Sequence, residues 1–290
     1  MARKPKVAIV GFGVVGQAYH KLFPDATIYD PFYKVPDGRF NGHGTPDGYN
    51  YPYKDTKAEV NECDIALVCV FTPHKEDGSL DTSIVEEVVD WIQTPLILIK
   101  SACHPGTVDR LVEKTGKKIA VSVEFIGEGT YPIHFWKYPH QNDPRMHQML
   151  IVGGEQKTAE ACAEILWSRM SPDIKIHLTS ALEAEITKLV ENSYGALKVT
   201  FINSLMSLAQ KSGTSFLRIH QAWQSDPRTD SMHLRAVSNN RGWESKCWDK
   251  DVPALAQYAK SVGAYDLMEL FEVVLKLNKD HLRLNDDQKN

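Results

Sequence analysis

Four sets of residues in this chain have types and spacings that suit chemistry. Gly11, Gly13 and Gly16 form Gly-x-Gly-x-x-Gly directly after the apolar run Lys6 to Val10, and Asp30 lies 19 residues beyond Gly11. A strand, tight turn and helix built on that pattern bind a dinucleotide. Gly11 permits the turn, Gly13 lets the backbone approach a pyrophosphate, Gly16 lets helix and strand pack closely, and the amides of Val14 and Val15 face the phosphates. Asp30 would accept hydrogen bonds from the adenosine ribose hydroxyls and repel a 2′-phosphate, so NAD is expected rather than NADP. Lys188 and Asn192 are four apart on a helical pattern and share a face. They read either as solvated surface or as a cation and an amide donor that hold an oxygen on which negative charge develops. Cys247 is flanked by Lys246 and Lys250, whose charge favours a thiolate, unless the thiol is incidental. Glu124 and Glu128 follow an apolar run; they fit acid, base or water-positioning roles at a sheet edge, or a solvated loop.

The elements that must position these residues follow from hydrophobic period. Continuously apolar, β-branched runs at Lys6 to Val10, Ala26 to Tyr29, Ile65 to Val70, Leu96 to Ile99 and Ile119 to Val123 predict strands covered on both faces. Stretches of helical period at Val14 to Phe23, Thr82 to Ile92 and Thr107 to Thr115 fall between them, which predicts a doubly wound parallel sheet of Rossmann type. Residues 31 to 55, rich in Gly, Pro, Asp and Tyr, predict an irregular loop. A weaker strand pair, Leu150 to Val152 and Ile174 to Leu178, flanks a helix at Thr158 to Met170.

After Thr179 the pattern becomes helical. Ile186, Leu189, Val190, Leu197, Phe201, Leu205 and Leu208 keep one period from Ala181 to Lys211, and shorter helices follow at Phe216 to Trp223, Val252 to Val262 and Tyr265 to Leu284. The expected architecture is therefore α/β: a Rossmann domain over residues 1–179, then an all-helical substrate and dimerisation domain over 180–290 with one long central helix. That helix has a longer apolar face than three short partners can cover, so a homodimer is expected.

Composition narrows the function class. The 290 residues are 42% hydrophobic and 24% charged, which fits a folded globular chain, and a net charge of −4 argues against a nucleic-acid partner. No stretch reaches the roughly 20 apolar residues of a membrane helix. The charged start followed by Val7 to Gly16 imitates a secretory signal, but its three glycines suit a strand and turn better. Five scattered cysteines without CxxC spacing predict a reducing, cytoplasmic setting, and the absence of HExxH or clustered histidines among 11 predicts no metal site.

Six segments in order resemble the UDP-glucose dehydrogenase family, NAD enzymes that oxidise a sugar C6 alcohol to a carboxylate. They are Gly11 to Gly16, Val70 to Pro73, Lys100 to Thr107, Glu124 to Gly129, Ala184 to Asn192 and Cys247 to Asp251. The resemblance implies that Cys247 is a nucleophile forming a thiohemiacetal and then a thioester. It further implies that Lys188 and Asn192 stabilise alkoxide and oxyanion, and that Asp251 and Glu124 position or activate water. Glu128, Thr72 and Lys250 match family positions near the cofactor, and the implied substrate is UDP-glucose or a related nucleotide sugar. Two alternatives remain: a two-domain β-hydroxyacid dehydrogenase, which also uses Lys-x-x-x-Asn but needs no thiol, and a non-catalytic NAD-binding protein. Three departures from the family stand out: Glu244-Ser245 replaces Gly-Gly, Ala102 replaces a threonine, and a short form without the family's C-terminal UDP-binding domain is expected.

Overall fold

The computed structural model describes residues 3–31, 56–126, 143–230 and 232–286. Two compact units result. The first joins Met1–Pro73 to Asp81–Lys188, and the second joins His74–Leu80 to Leu189–Asn290.

In the first unit, β1 (Val7–Val10), β2 (Thr27–Tyr29), β3 (Ile65–Val68), β4 (Leu96–Ile99), β5 (Ile119–Val121), β6 (Met149–Gly154) and β7 (Lys175–Thr179) form one sheet in the order β2-β1-β3-β4-β5-β6-β7. The apolar runs become strands because successive side chains serve opposite cores. Ala8, Val10, Ala66, Val68, Ile97 and Ile99 enter one core, while Val7, Ile9, Ile65, Leu67 and Leu98 enter the other. The first core is covered by α2 (Lys57–Asn61), α3 (Ser83–Trp91) and α4 (Thr107–Thr115), the second by α1 (Val14–His20) and α5 (Gln156–Trp167).

The first five strands are parallel, as the alternating pattern predicts. β6 joins β5 antiparallel and then pairs with β7 in parallel, so the last two strands run against the rest. Hydrophobic period carries no strand direction, and the sequence reading left that reversal unseen. It also missed α2, whose five residues are too few to show a period. A capping box marks its start: Thr56 accepts from the Glu59 amide, and the Glu59 carboxylate accepts from Thr56 N–H.

One further tie within this unit titrates. Helix α6 (Ala181–Lys211) begins beside α4, and buried Glu185 accepts hydrogen bonds from Gly106 N–H at 2.6 Å and Val108 N–H at 3.0 Å. Burial pushes the Glu185 carboxyl up to about 7, against the pull of those two amides. A raised carboxyl favours the folded state at low pH, and that contribution is lost as pH rises from about 4.5 through about 7. Urea titrations at pH 5 and 7.5 should therefore show wild type losing up to about 3 kcal/mol relative to Glu185→Gln, which cannot ionise. Parallel stability curves for the two proteins would refute the assignment.

The second unit is helical. It comprises the remainder of α6, α7 (Phe216–Gln224), α8 (Trp248–Ser261) and α9 (Tyr265–Asp286), the last two forming a hairpin turned at Gly263, φ +81°. Helix α8 begins four residues before the predicted start, because its first turn is polar and lacks the apolar period. Leu189, Ala196, Ile202, Val252, Leu255, Phe271 and Val274 form its interior. Helix α7 buries none of its residues, and α6 leaves Val190, Tyr194, Phe201 and Leu208 exposed.

Candidate active site

The glycine loop joins β1 to α1. Gly11 N–H donates to Tyr29 O at 2.8 Å, and its φ of +91° together with a Cβ position 2.7 Å from Cys69 O excludes any side chain. A Cβ at Gly16 would run into the Gly11 carbonyl. At Gly13 a Cβ would meet nothing within 4 Å, so backbone there borders open space. Helix α1 starts without a side-chain cap, which leaves the amides around Val14 and Val15 for an anion. Asp30 is fixed to the loop by accepting the Phe12 N–H at 2.8 Å. Open space at the middle glycine and uncapped amides fit the pyrophosphate of a dinucleotide, and Asp30 beside the loop fits its ribose.

Thr72 is buried and spends its hydroxyl proton on Ala102 O at 2.8 Å, so it bridges the segments that follow β3 and β4. Ser101 does the same by donating to Val70 O at 2.7 Å. Lys188 Nζ lies 5.0 Å from the centroid of the Phe125 ring, a cation–π arrangement that puts its charge beside the residue after Glu124. Glu128 lies outside the described residues.

Glu124 occupies a buried polar cluster. Its carboxylate is 3.1 Å from Lys100 Nζ and 3.7 Å from His147 Nδ1, and it accepts a hydrogen bond from the Tyr19 hydroxyl. Lys100 also donates to Ser122 Oγ at 2.9 Å and stands 4.4 Å from the Tyr19 ring centroid. Burial alone would push the Glu124 carboxyl up, but Lys100, His147 and Tyr19 together hold it below the ordinary carboxylate range. Burial pulls Lys100 down against the opposing charge of Glu124, and burial plus that same charge pushes Tyr19 up. Sequence reading quoted Lys100 within a motif without a role; a lysine closing the apolar run Leu96 to Ile99 was the available sign of a buried pair.

In the second unit a short chain of contacts begins on α6. Asn192 Nδ2 donates to Asp251 Oδ2 at 2.5 Å, and Lys250 Nζ donates to Asp251 Oδ1 at 2.5 Å. All three side chains are largely buried, Asp251 to 1% exposure. Cys247 is the N-cap of α8, half-buried, and its carbonyl accepts the Asp251 N–H at 2.9 Å, so thiol and carboxylate share the first turn's face. Ser245, where the family has glycine, turns its hydroxyl to the amides of Cys247 and Trp248 at 3.3 and 3.4 Å, while Asp249 accepts from Ser245 N–H at 3.3 Å. The Ser245 hydroxyl thus meets two backbone amides at the start of the thiol's own helix. Burial and the neighbouring Glu244 raise the Asp249 carboxyl. Among the described residues no cluster of His, Cys, Asp and Glu is arranged to hold a metal, and no helix is long and apolar enough to cross a membrane.

Known proteins bear on this arrangement. Residues 51–171 match the NAD binding domain of the UDP-glucose/GDP-mannose dehydrogenase family, and residues 182–280 match its central domain. The UDP-glucose 6-dehydrogenase of Rickettsia bellii is 26% identical over 251 residues, 83% of this chain and 53% of that protein. The chain spans about half the length of the curated relatives it matches. A UDP-glucose dehydrogenase from Pyrobaculum islandicum shares the fold with a TM-score of 0.75 at 22% identity, over 96% of this chain and 68% of that one. The 3-hydroxyisobutyrate dehydrogenase of Mycobacterium tuberculosis also shares it, with a TM-score of 0.64 at 14% identity over 96% and 95% of the two chains. Two matched domains in family order place this NAD-binding chain in the UDP-glucose/GDP-mannose dehydrogenase family.

Proposed function

We propose that this chain oxidises the C6 alcohol of a nucleotide sugar, UDP-glucose to UDP-glucuronate, through a covalent adduct on Cys247. The supporting observation is Cys247 at the start of α8, on one turn with Asp251, whose carboxylate is gripped by Asn192 and Lys250. A thiol at a helix N-terminus is favoured as thiolate, the form that attacks an aldehyde. NAD, when bound, would supply the hydride acceptor that each of the two oxidations needs. Lys188 and Asn192 stabilise the alkoxide and the adduct oxyanion, and the thiolate retains the aldehyde as a thiohemiacetal. The second oxidation leaves a thioester, which water cleaves to carboxylate and free thiol. Asp251 orients that water. Glu124, committed to Lys100 and Tyr19, serves the water step by fixing the chain around Phe125. Gly11 to Gly16, Asp30, Thr72, Glu128 and Lys250 hold the cofactor.

A β-hydroxyacid dehydrogenase would use Lys188 and Asn192 alone, so product stoichiometry separates the readings. With NAD and UDP-glucose the purified protein should yield two NADH per sugar consumed. One NADH from a hydroxyacid, with nucleotide sugars inert, would favour the other reading.

The protein acts, in this reading, as a cytoplasmic homodimer paired through α6. Val190, Tyr194, Phe201 and Leu208 are 44, 53, 52 and 61% exposed along one helix, an apolar stripe that a second copy would cover. Light scattering should report a dimer at micromolar concentration, and Tyr194→Glu with Phe201→Glu should give monomers. A monomeric wild type would end this part of the proposal.

A further inference from the structure

Helix α9 carries two asparagines that treat the chain before Cys247 as a neighbouring strand would. Asn278 accepts the Trp243 N–H and donates to the Trp243 carbonyl, both at 2.8 Å. Asn285, seven positions on, accepts the Arg241 N–H at 2.7 Å and donates to the Arg241 carbonyl at 3.0 Å. Between them Gly242 has φ +75°, and a Cβ there would stand 2.8 Å from Asn278 Oδ1, so only glycine lets the chain lie this close.

The side chains of the same segment are anchored on α6. Buried Arg241 donates from Nε to Asn203 Oδ1 at 2.8 Å, and from Nη2 to Ser207 Oγ at 2.7 Å and to the Asn203 carbonyl. Trp243 Nε1 donates to Thr200 Oγ1 at 3.0 Å, and its ring meets Trp248 edge-on at 5.8 Å. Trp248, directly after Cys247, fills the space over Gly195, where a Cβ would come within 2.8 Å of its ring. Residues 244–247 are thus a short span tied at Trp243 and at Trp248.

We propose that Asn278 and Asn285 are positioning residues that set where the Cys247 thiol stands; the proposal rests on reading Cys247 as the nucleophile. Amide clasps add little net stability over well-packed apolar contacts, because each bond replaces one to water. They do specify register: each amide fits only a residue offering its own N–H and C=O together, so a one-residue slip breaks both clasps. That selectivity, spent on residues 241–243 shortly before a reactive thiol, points to placement of the thiol.

Cys63, Cys69, Cys103 and Cys162 are buried, so iodoacetamide labelling of the native NAD-bound protein reads Cys247. In Asn278→Leu we expect labelling of Cys247 about tenfold faster with a shifted pH midpoint, unchanged far-UV dichroism and NAD affinity, and kcat down at least tenfold at similar KM. Asn278→Asp, which keeps the acceptor for Trp243 N–H, should fall between. Asn285→Leu, farther from the thiol, provides the same reading if Asn278→Leu fails to fold. Labelling rate and midpoint within twofold of wild type in a folded variant would overturn the proposal. Altered labelling in a protein whose turnover survives Cys247→Ala would support the positioning while removing the nucleophile reading on which the proposal rests.

Discussion

Cys247→Ala is expected to reduce acid formation from UDP-glucose on the order of a thousandfold or more, the scale of losing a covalent nucleophile. Lys188, Asn192 and the cofactor cradle remain, so the first hydride transfer is still possible, but the aldehyde has no anchor and leaves or returns to alcohol. Cys247→Ser should be nearly as poor, because a hydroxyl ionises far less readily than a thiol. Coupled measurement of NADH and glucuronate decides the matter: wild type gives two NADH per acid, and both variants give almost no acid. A hydroxyacid dehydrogenase would keep turnover within severalfold and one NADH per substrate in either variant. Acid formation undiminished in Cys247→Ala would end the nucleotide-sugar mechanism at this site.

The second large effect concerns stability. Lys100→Met should destabilise the protein by about 3–5 kcal/mol, because Glu124 is left buried without its cation. For a unit of this size that corresponds to a fall in melting temperature on the order of 10 °C. The sign with pH follows from the carboxyl. In wild type Glu124 is held low, so its stabilising contribution is present above the ordinary carboxylate value and is lost as acid protonates it. In Lys100→Met burial is opposed only by His147 and Tyr19 and raises the carboxyl relative to wild type, so the variant is least impaired at low pH and the gap from wild type widens as pH rises. Lys100→Met combined with Glu124→Leu removes both charges and should recover most of the loss. A single variant as stable as wild type at pH 7.5 would show that the pair carries no such energy.

Much of the first unit was legible because its signals are local. Each strand is a run of consecutive apolar residues, and the glycine loop is six consecutive residues in which Gly11 and Gly16 answer to collisions within a few ångströms. The motif around Cys247 was equally legible as a list of residue types. The hydrogen bonds of Ser245 were not: the departure from Gly-Gly showed that a side chain is present, and only the fold shows its hydroxyl accepting from the Cys247 and Trp248 amides. Glu124 read either as a carboxylate for acid, base or water-positioning work or as part of a solvated loop, and its ion pair with Lys100 was not legible.

The sequence by itself determined the α/β class, the parallel sense of the first five strands, the NAD cofactor and the family, since these depend on period, on steric demands at single glycines and on contiguous motifs. Only the tertiary structure decided the reversal at β6, the Lys100 and Glu124 pair, the hold of Asn192 and Lys250 on Asp251, and the clasp of Asn278 and Asn285 on the chain before Cys247. The physical reason is separation along the chain. Asn192 and Asp251 are 59 residues apart, Asn285 and Arg241 are 44 apart, and Asn278 and Trp243 are 35 apart. A side-chain amide has the same composition whether it faces water or grips a distant backbone, and only the packing of the helices brings its partner within hydrogen-bonding reach.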